Sequence, residues 1–354
     1  MSRATSSALG RVAACLAIGL AAACAGQTAA PSETSTSSAD PPGTARVDPA
    51  TSAVRPRPSP PDPALVERLR ADVQRIAIRR DPGSPGWRDV RATIEARLRE
   101  QKWEPAEDTF AGGGIQGINV IARRKGTASP DATVILSAHY DHVWDCAGAD
   151  DNASGVAVVL EAARALSDYA PTRSLVLAFW DYEEDGLIGS TSWAKRAKLR
   201  GEKIELAIAL DGVGYVDPRP GSQSLPPGAD ALLPDVSRTL KSNDYRGDFI
   251  AVIADSDSEK YVDAFAQSAD ARGLPAVTVD LSGVTRVLLL DAARSDHASF
   301  WLLGYPAMLV TDTANFRNPR YHCAEGSDTP DSLDYAFLAR VTGAVIEATK
   351  AAAK

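Results

Sequence analysis

Residues 132–141 read ATVILSAHYD, and residues 148–169, a few positions on, read GADDNASGVAVVLEAARALSDY. The first is an apolar run that ends abruptly in His139, Tyr140 and Asp141. A run apolar on both faces is what a strand buried inside a parallel sheet looks like. The second opens with two adjacent acids. Asn152, Ser154 and Gly155 suit a sharp turn into a helix N-terminus, and apolar residues at helical spacing follow. The same alternation recurs along the chain. SLVLAFWDYEE (174–184), IELAIALDGV (204–213) and PAMLVTDT (306–313) are further apolar runs, and GINVIARRK (117–125) reads as a strand. Helical spacing appears at 64–78, 86–101, 188–200, 258–273 and 333–352. Apolar strands alternating with helices predict an α/β domain built on a mainly parallel sheet. Neither an internal repeat nor a second domain of convincing size is visible.

In open α/β sheets, ligands bind beyond the carboxyl ends of the strands. The runs end in His139-Tyr140-Asp141, in Asp181-Tyr182-Glu183-Glu184 and in Asp211, and PAMLV leads into a loop carrying Tyr321 and His322. The Asp150-Asp151 pair stands at the start of the helix at 155. Five separated segments therefore deliver acids and imidazoles to one sheet edge. His139, one of Asp150 and Asp151, Glu184, Asp211 and His322 make two imidazoles and three carboxylates, a donor set suited to Zn²⁺. With one bridging acid, two metals about 3.5–4 Å apart fit. This accounts for two adjacent acids whose nearest cations along the chain are Lys125 and Arg164. The competing reading is a water-solvated N-cap cluster. Chemistry alone does not choose between Asp150 and Asp151. Nor does spacing choose between His297, at the start of a helix in SDHASF, and His322 as the late ligand. Glu183 is placed to take a proton from water and pass it to a leaving amine. Asp141 is placed to hold the far nitrogen of His139. His142, one position past the motif, reads as a rim residue facing solvent.

The chain has 354 residues, 44% of them hydrophobic, and a formal net charge of -8. That balance, without any Lys/Arg-rich run, argues against a nucleic-acid surface. Residues 1–24 read as an export signal: Arg3 and Arg11 flank a Ser/Ala-rich start, and 12–23 is an apolar run too short to span a bilayer. It ends LAAAC, like a bacterial lipoprotein signal whose Cys24 becomes lipidated. Leu20 lies four residues before that Cys instead of three, so plain cleavage after an A-x-A site is the alternative. Residues 25–62, rich in Ser, Thr, Pro, Ala and Gly, read as a flexible tether, and 63–354 as the catalytic domain. The expected location is outside the cytoplasm, held to a membrane only through Cys24, or otherwise secreted.

HYD, GADDNASG, YEEDGLIGS, ALDGVG, SDHASFWLLGYPA and FRNPRYH…DTPDSLDY, in that order, resemble the di-zinc peptidase family that contains bacterial leucyl aminopeptidases, glutamate carboxypeptidase II and glutaminyl cyclase. The resemblance runs from about residue 64 to the C-terminus. It implies a three-layer α/β/α fold with a mostly parallel mixed sheet, two Zn²⁺ per chain and a peptide substrate. It assigns His139 and Asp211 to one zinc, Glu184 and His322 to the other, and Asp151 of DNASG as the bridge, with Asp150 behind it. Asp296 and His297 then support the site from behind. It makes Glu183 the general base and Tyr321 a donor to the substrate carbonyl. Other members carry a tyrosine shortly before SDH, where this chain has DAAR, which favours Tyr321. Glutaminyl cyclases carry DSA at the bridging segment, so DDNASG argues for a peptidase. Aminopeptidase is the leading expectation. A carboxypeptidase or dipeptidase would share every ligand and would need a cation such as Arg294, Arg317 or Arg320. A non-catalytic binding module would need a missing ligand or base, and none is missing. Cys146 and Cys323 lie in loops beside the proposed metals. In an exported protein they can pair if their Cα atoms come within about 7 Å.

Overall fold

The computed structural model describes residues 59–281 and 283–354. The export signal, Cys24 and the tether as far as residue 58 lie outside the described residues. Eight strands form one sheet: β1 Pro105–Gly112, β2 Ile115–Arg124, β3 Ser129–His139, β4 Arg173–Trp180, β5 Lys203–Leu210, β6 Ile250–Ala254, β7 Ala276–Asp280 and β8 Ala307–Thr311. Their order is β1-β2-β4-β3-β5-β8-β6-β7. The centre, β4-β3-β5-β8, is parallel throughout, whereas β1, β2 and β6 join by antiparallel pairings and β7 lies parallel to β6.

The central strands show why they read as continuous apolar runs. Val134, Leu136 and Ala138 of β3 pack into one core and Ile135 into the other. On β4, Leu175, Leu177 and Phe179 face the first core and Val176, Ala178 and Trp180 the second. Helices cover both faces. The first is packed by α1 Pro63–Ile76, α2 Pro85–Glu100, α3 Gly155–Ala165, α7 Glu259–Ala271 and the terminal α10 Tyr335–Ala353. The second is packed by α4 Ile188–Leu199, α5 Ala229–Leu232, α6 Pro234–Ser242 and α9 His297–Leu302. A further short helix, α8, spans Val284–Leu288. The chain is thus a three-layer α/β/α fold on a mixed sheet. Local chemistry sets the helix starts: Asp62, Ser84 and Asp334 cap α1, α2 and α10 by accepting from Ala64 N, Trp87 N and Phe337 N at 3.0, 3.1 and 2.9 Å. Among the described residues no helix is long and apolar enough to cross a membrane.

Candidate metal centre

The site forms at the carboxyl ends of β3, β4 and β5. His139 is the last residue of β3 and is 1% exposed. Between β3 and α3 the chain folds back through Ala149–Ser154, with Asp151 and Asn152 out of helical geometry and a cis peptide between them. Asn152 ties this turn to the sheet. Its Nδ2 donates to Leu210 O at 2.7 Å, and its Oδ1 accepts from Gly155 N at 3.1 Å. Two glycines are obligatory here. A Cβ on Gly155 would lie 2.2 Å from Asn152 Oδ1. Gly148, at φ 58°, would place one 2.2 Å from Asp151 O.

The result is a chain of close donors. His139 Nε2 lies 3.1 Å from Asp151 Oδ1 and 3.6 Å from Asp211 Oδ1. Asp151 Oδ2 lies 3.2 Å from His322 Nε2, which is 3.0 Å from Glu184 Oε2. Each oxygen of Asp151 therefore faces a different histidine. His139 Nε2, Asp151 Oδ1 and His322 Nε2 are buried and make no aligned hydrogen bond despite these approaches. Such atoms are costly to bury unpaired, and a shared cation is what their arrangement suits. Donor atoms of His139, Asp151 and Asp211 all lie within 4.8 Å of one another, as do those of His139, Glu183 and Glu184, and of His142, Asp151 and Glu184.

Electrostatics follow from the crowding. Burial would raise Asp151, but the hydrogen-bonding approaches of His139 and His322 hold it well below the usual carboxylate range. Burial would lower the imidazoles, yet Glu183 and the facing carboxylates of Asp141, Asp151 and Asp211 hold His139 well above its ordinary value. His322 likewise rises to about 10 against its burial, through Asp151 and Glu184. Glu183 differs: burial, helped by Asp211, Asp296 and Glu184 and opposed by His139, pushes it well above the usual range. Burial and the neighbouring carboxylates thus raise its proton affinity, the property a group that accepts a proton from water needs.

The supporting candidates differ in what they touch. Asp141 Oδ1 is 3.6 Å from His139 Nδ1, and the carboxylate accepts from Glu183 N and Glu184 N at 3.1 and 3.3 Å. Its larger work is to hold the loop that carries both glutamates. Asp150 points away from the cluster, accepting from Gly214 N and Asn318 Nδ2 at 2.9 and 3.0 Å. Asp296 is buried; burial lifts it to about 7, with the charge of His139 opposing. His297 is buried with Nε2 on Ala292 O at 2.9 Å and belongs to none of the donor groups. Tyr321 stacks on His322, ring centroids 3.8 Å apart, and its hydroxyl accepts from Arg294 Nη2 at 3.3 Å. Cys146 and Cys323 are joined by a disulfide with Cα atoms 5.9 Å apart. That bond anchors the segment in which His322 and Cys323 adopt φ 53° and 58°, a region costing about 1–3 kcal/mol per residue.

Three features escaped the sequence reading. His142 is not a solvent-facing rim residue: it is 1% exposed, with Nδ1 2.8 Å from Glu184 Oε1. Arg80, fully buried, donates to the carbonyls of Tyr140, Ala147, Gly148 and Asp151. Asp328 Oδ2 accepts from the backbone N–H of both Asp150 and Asp151, at 2.9 and 3.2 Å, and burial lifts its carboxyl to about 8. Beside the cluster lies a cavity of about 130 Å³ touching Asp211, Tyr321 and Arg294, walled by apolar residues of β6, β7, β8 and α6.

Comparison with known proteins bears on the family and the fold. The uncharacterised protein YfbL of Escherichia coli strain K12 is 35% identical over 227 residues, 60% of this chain and 65% of that one. A leupeptin-inactivating enzyme of Streptomyces exfoliatus is 32% identical over 187 residues, 49% of this chain and 41% of that one. The chain spans less than two thirds of the length of these relatives. In structure, an aminopeptidase from Aneurinibacillus sp. strain AM-1 superposes with a TM-score of 0.60 at 18% identity, covering 82% of this chain and 94% of that one. A glutaminyl cyclase of Porphyromonas gingivalis superposes with a TM-score of 0.57 at 22% identity, covering 80% and 97%; these likenesses establish the fold. The model of peptidase family M28 matches residues 119–349, and the chain belongs to that family of hydrolases.

Proposed function

We propose that the chain is a co-catalytic di-zinc exopeptidase, and specifically an aminopeptidase that releases N-terminal residues with large apolar side chains. The observation that carries the reading is Asp151, whose two oxygens face His139 and His322 at 3.1 and 3.2 Å. His139 and Asp211 would hold one zinc, Glu184 and His322 the other, with Asp151 between them. Three carboxylates and two imidazoles, buried and short of hydrogen bonds, fit that ion. Zinc supplies Lewis acidity toward water and the scissile carbonyl. Glu183 takes a proton from the attacking water onto its buried carboxylate and returns it to the departing amine nitrogen. Arg294 occupies a lone pair of the Tyr321 hydroxyl, which leaves the phenol proton free to donate to the carbonyl oxygen as negative charge develops there. The cavity beside Asp211 suits the side chain of the released residue. At about 130 Å³ it is close to the roughly 150 Å³ that accommodates a benzene ring. Leu225, Leu233, Ile253, Val279 and Leu289 give it apolar walls.

A second reading rests on Arg294, which lines the same cavity beside Tyr321 and is 45% exposed. A guanidinium there could take a C-terminal carboxylate and make the enzyme a carboxypeptidase. Arg317 does not serve this purpose. It is buried and committed to Gln223 Oε1 and Phe249 O at 2.9 and 2.7 Å. The deciding experiment counts zinc per chain and assays leucyl and phenylalanyl anilides beside N-blocked peptides with free C-termini. Turnover that requires a free α-amine supports the aminopeptidase. Turnover of N-blocked peptides supports the second reading, and turnover without zinc contradicts both.

We further propose that residues 1–24 are an export signal, that Cys24 carries a lipid anchor and that residues 25–62 are the tether of the catalytic domain. The Cys146–Cys323 disulfide supports export, because such bonds persist in oxidising compartments. Metabolic labelling with a fatty acid tests the anchor: label should enter the parent and be lost in Cys24→Ala.

A further inference from the structure

One buried imidazole is left without a role by the reading above. His142 stands edge-on to His322, ring centroids 5.9 Å apart. The two histidines divide the Glu184 carboxylate between them: His142 Nδ1 is 2.8 Å from Oε1, and His322 Nε2 is 3.0 Å from Oε2. Oε2 shares that His322 nitrogen with Asp151, whose Oδ2 is 3.2 Å from it. The His142 ring is backed by Gly148, where a Cβ would come within 2.7 Å of Nε2. It therefore has little freedom to leave Glu184.

We propose that His142 is a positioning residue of the second metal site. It donates from Nδ1 to Glu184 Oε1 and so presents Oε2 alone to the zinc that His322 and Asp151 would share. The inference rests on the two-metal reading and adds to it a residue outside the proposed ligand set. Hydrogen bonds to a carboxylate are among the stronger ones. Asp141 holds the Glu184 backbone from the other end, at 3.3 Å, so the side chain is oriented before any ion arrives. Groups that orient a metal ligand in this way are typically worth about 10- to 100-fold in metal affinity.

The test is a zinc titration of metal-free protein against a chromophoric chelator, for the parent, His142→Ala and His142→Asn. Asparagine can offer an amide N–H near the place of Nδ1–H. The alanine variant should bind its first zinc as the parent does and its second about 10- to 100-fold more weakly, and the asparagine variant should recover most of that loss. X-ray absorption at the zinc edge should count the same number of coordinating nitrogens in all three. Unchanged second-site affinity in His142→Ala overturns the inference, as does equal loss in both variants or equal weakening of both sites. A nitrogen lost from the zinc shell would make His142 a ligand and overturn it too. A parent that binds fewer than two zincs overturns the two-metal reading first, and this inference with it.

Discussion

Replacing Arg80 by methionine should loosen the loop that carries Asp151 and destabilise the whole domain. The guanidinium is 0% exposed, and its hydrogen bonds go to backbone carbonyls: Gly148 O at 2.8 Å, Tyr140 O at 2.9 Å, Asp151 O at 3.2 Å, Ile78 O at 3.3 Å, Ile76 O at 3.4 Å and Ala147 O. It therefore ties the end of α1 to both sides of the GADDN turn, and its charge faces Asp151, Asp328, Asp141 and Glu184. Each carbonyl left without a donor costs about 1–3 kcal/mol; four of the six belong to residues 140–151, and Gly148 O and Ile76 O keep the N–H of Ala153 and of Ile78. Methionine also spares the several kcal/mol of desolvation that a buried cation carries. The balance is a loss of about 3–5 kcal/mol, similar to breaking a buried ion pair, out of a total of about 5–15 kcal/mol for a domain. Urea unfolding of metal-free parent and Arg80→Met at pH 7.5 measures it, with zinc titration alongside. Arg80→Lys should fall between them, because an ammonium cannot span so many acceptors. A loss below about 1 kcal/mol with parental zinc affinity would refute the idea that Arg80 sets the loop.

Other consequences are open to measurement. Glu183→Gln should keep its zinc and lose about 100- to 10,000-fold in kcat; retained turnover would remove Glu183 as the proton carrier. His297 is buried and its pKa is lowered to about 4 by burial. The folded state therefore resists protonation, and its stability contribution is full above about pH 6.5 and falls as pH drops toward 4, by on the order of 3 kcal/mol. His297→Gln should show a shallower acid limb in denaturant melts between pH 7 and 4.5, and an unchanged slope would contradict this. The Cys146–Cys323 bond closes a sequence separation of 177 residues, for which chain entropy gives about 5 kcal/mol at most. The double Cys→Ser variant should lose stability of that order and bind its second zinc more weakly, because His322 neighbours the bond. Unaltered zinc binding would show that the disulfide does not hold the ligand. Ala251→Phe, in the cavity wall, should raise KM for leucyl and phenylalanyl substrates far more than for alanyl ones; a uniform change would remove the cavity from substrate binding.

Most of the candidate site was legible because those residues sit where the character of the chain changes, whereas His322, in a loop beyond β8, and the choice of Asp151 over Asp150 came only from the family resemblance. His139, Asp181 to Glu184 and Asp211 each end an apolar run, and GADDNASG begins a helix. The central sheet was legible for the same reason, since strands buried on both faces leave no polar alternation. What escaped had no such contrast. The strand β1 is largely exposed, and β7, at the sheet edge, is buried only at alternate residues. Arg80 and Asp328 act on backbone groups 71 and 178 positions away. A carbonyl or an N–H is present at nearly every residue, so no spacing announces such a partner. His142 looked like a rim residue because nothing in HYDHV says that the next turn of chain, at Gly148, will close over it.

The most direct test is elemental analysis of purified residues 25–354 for the parent and for Asp151→Asn, after dialysis against zinc and then against buffer. The account predicts two zinc ions per parent chain and no more than one in the variant, with turnover lost, because one carboxylate serves both ions. Two zinc ions held as tightly by Asp151→Asn as by the parent, or a fully active parent holding none, would contradict it.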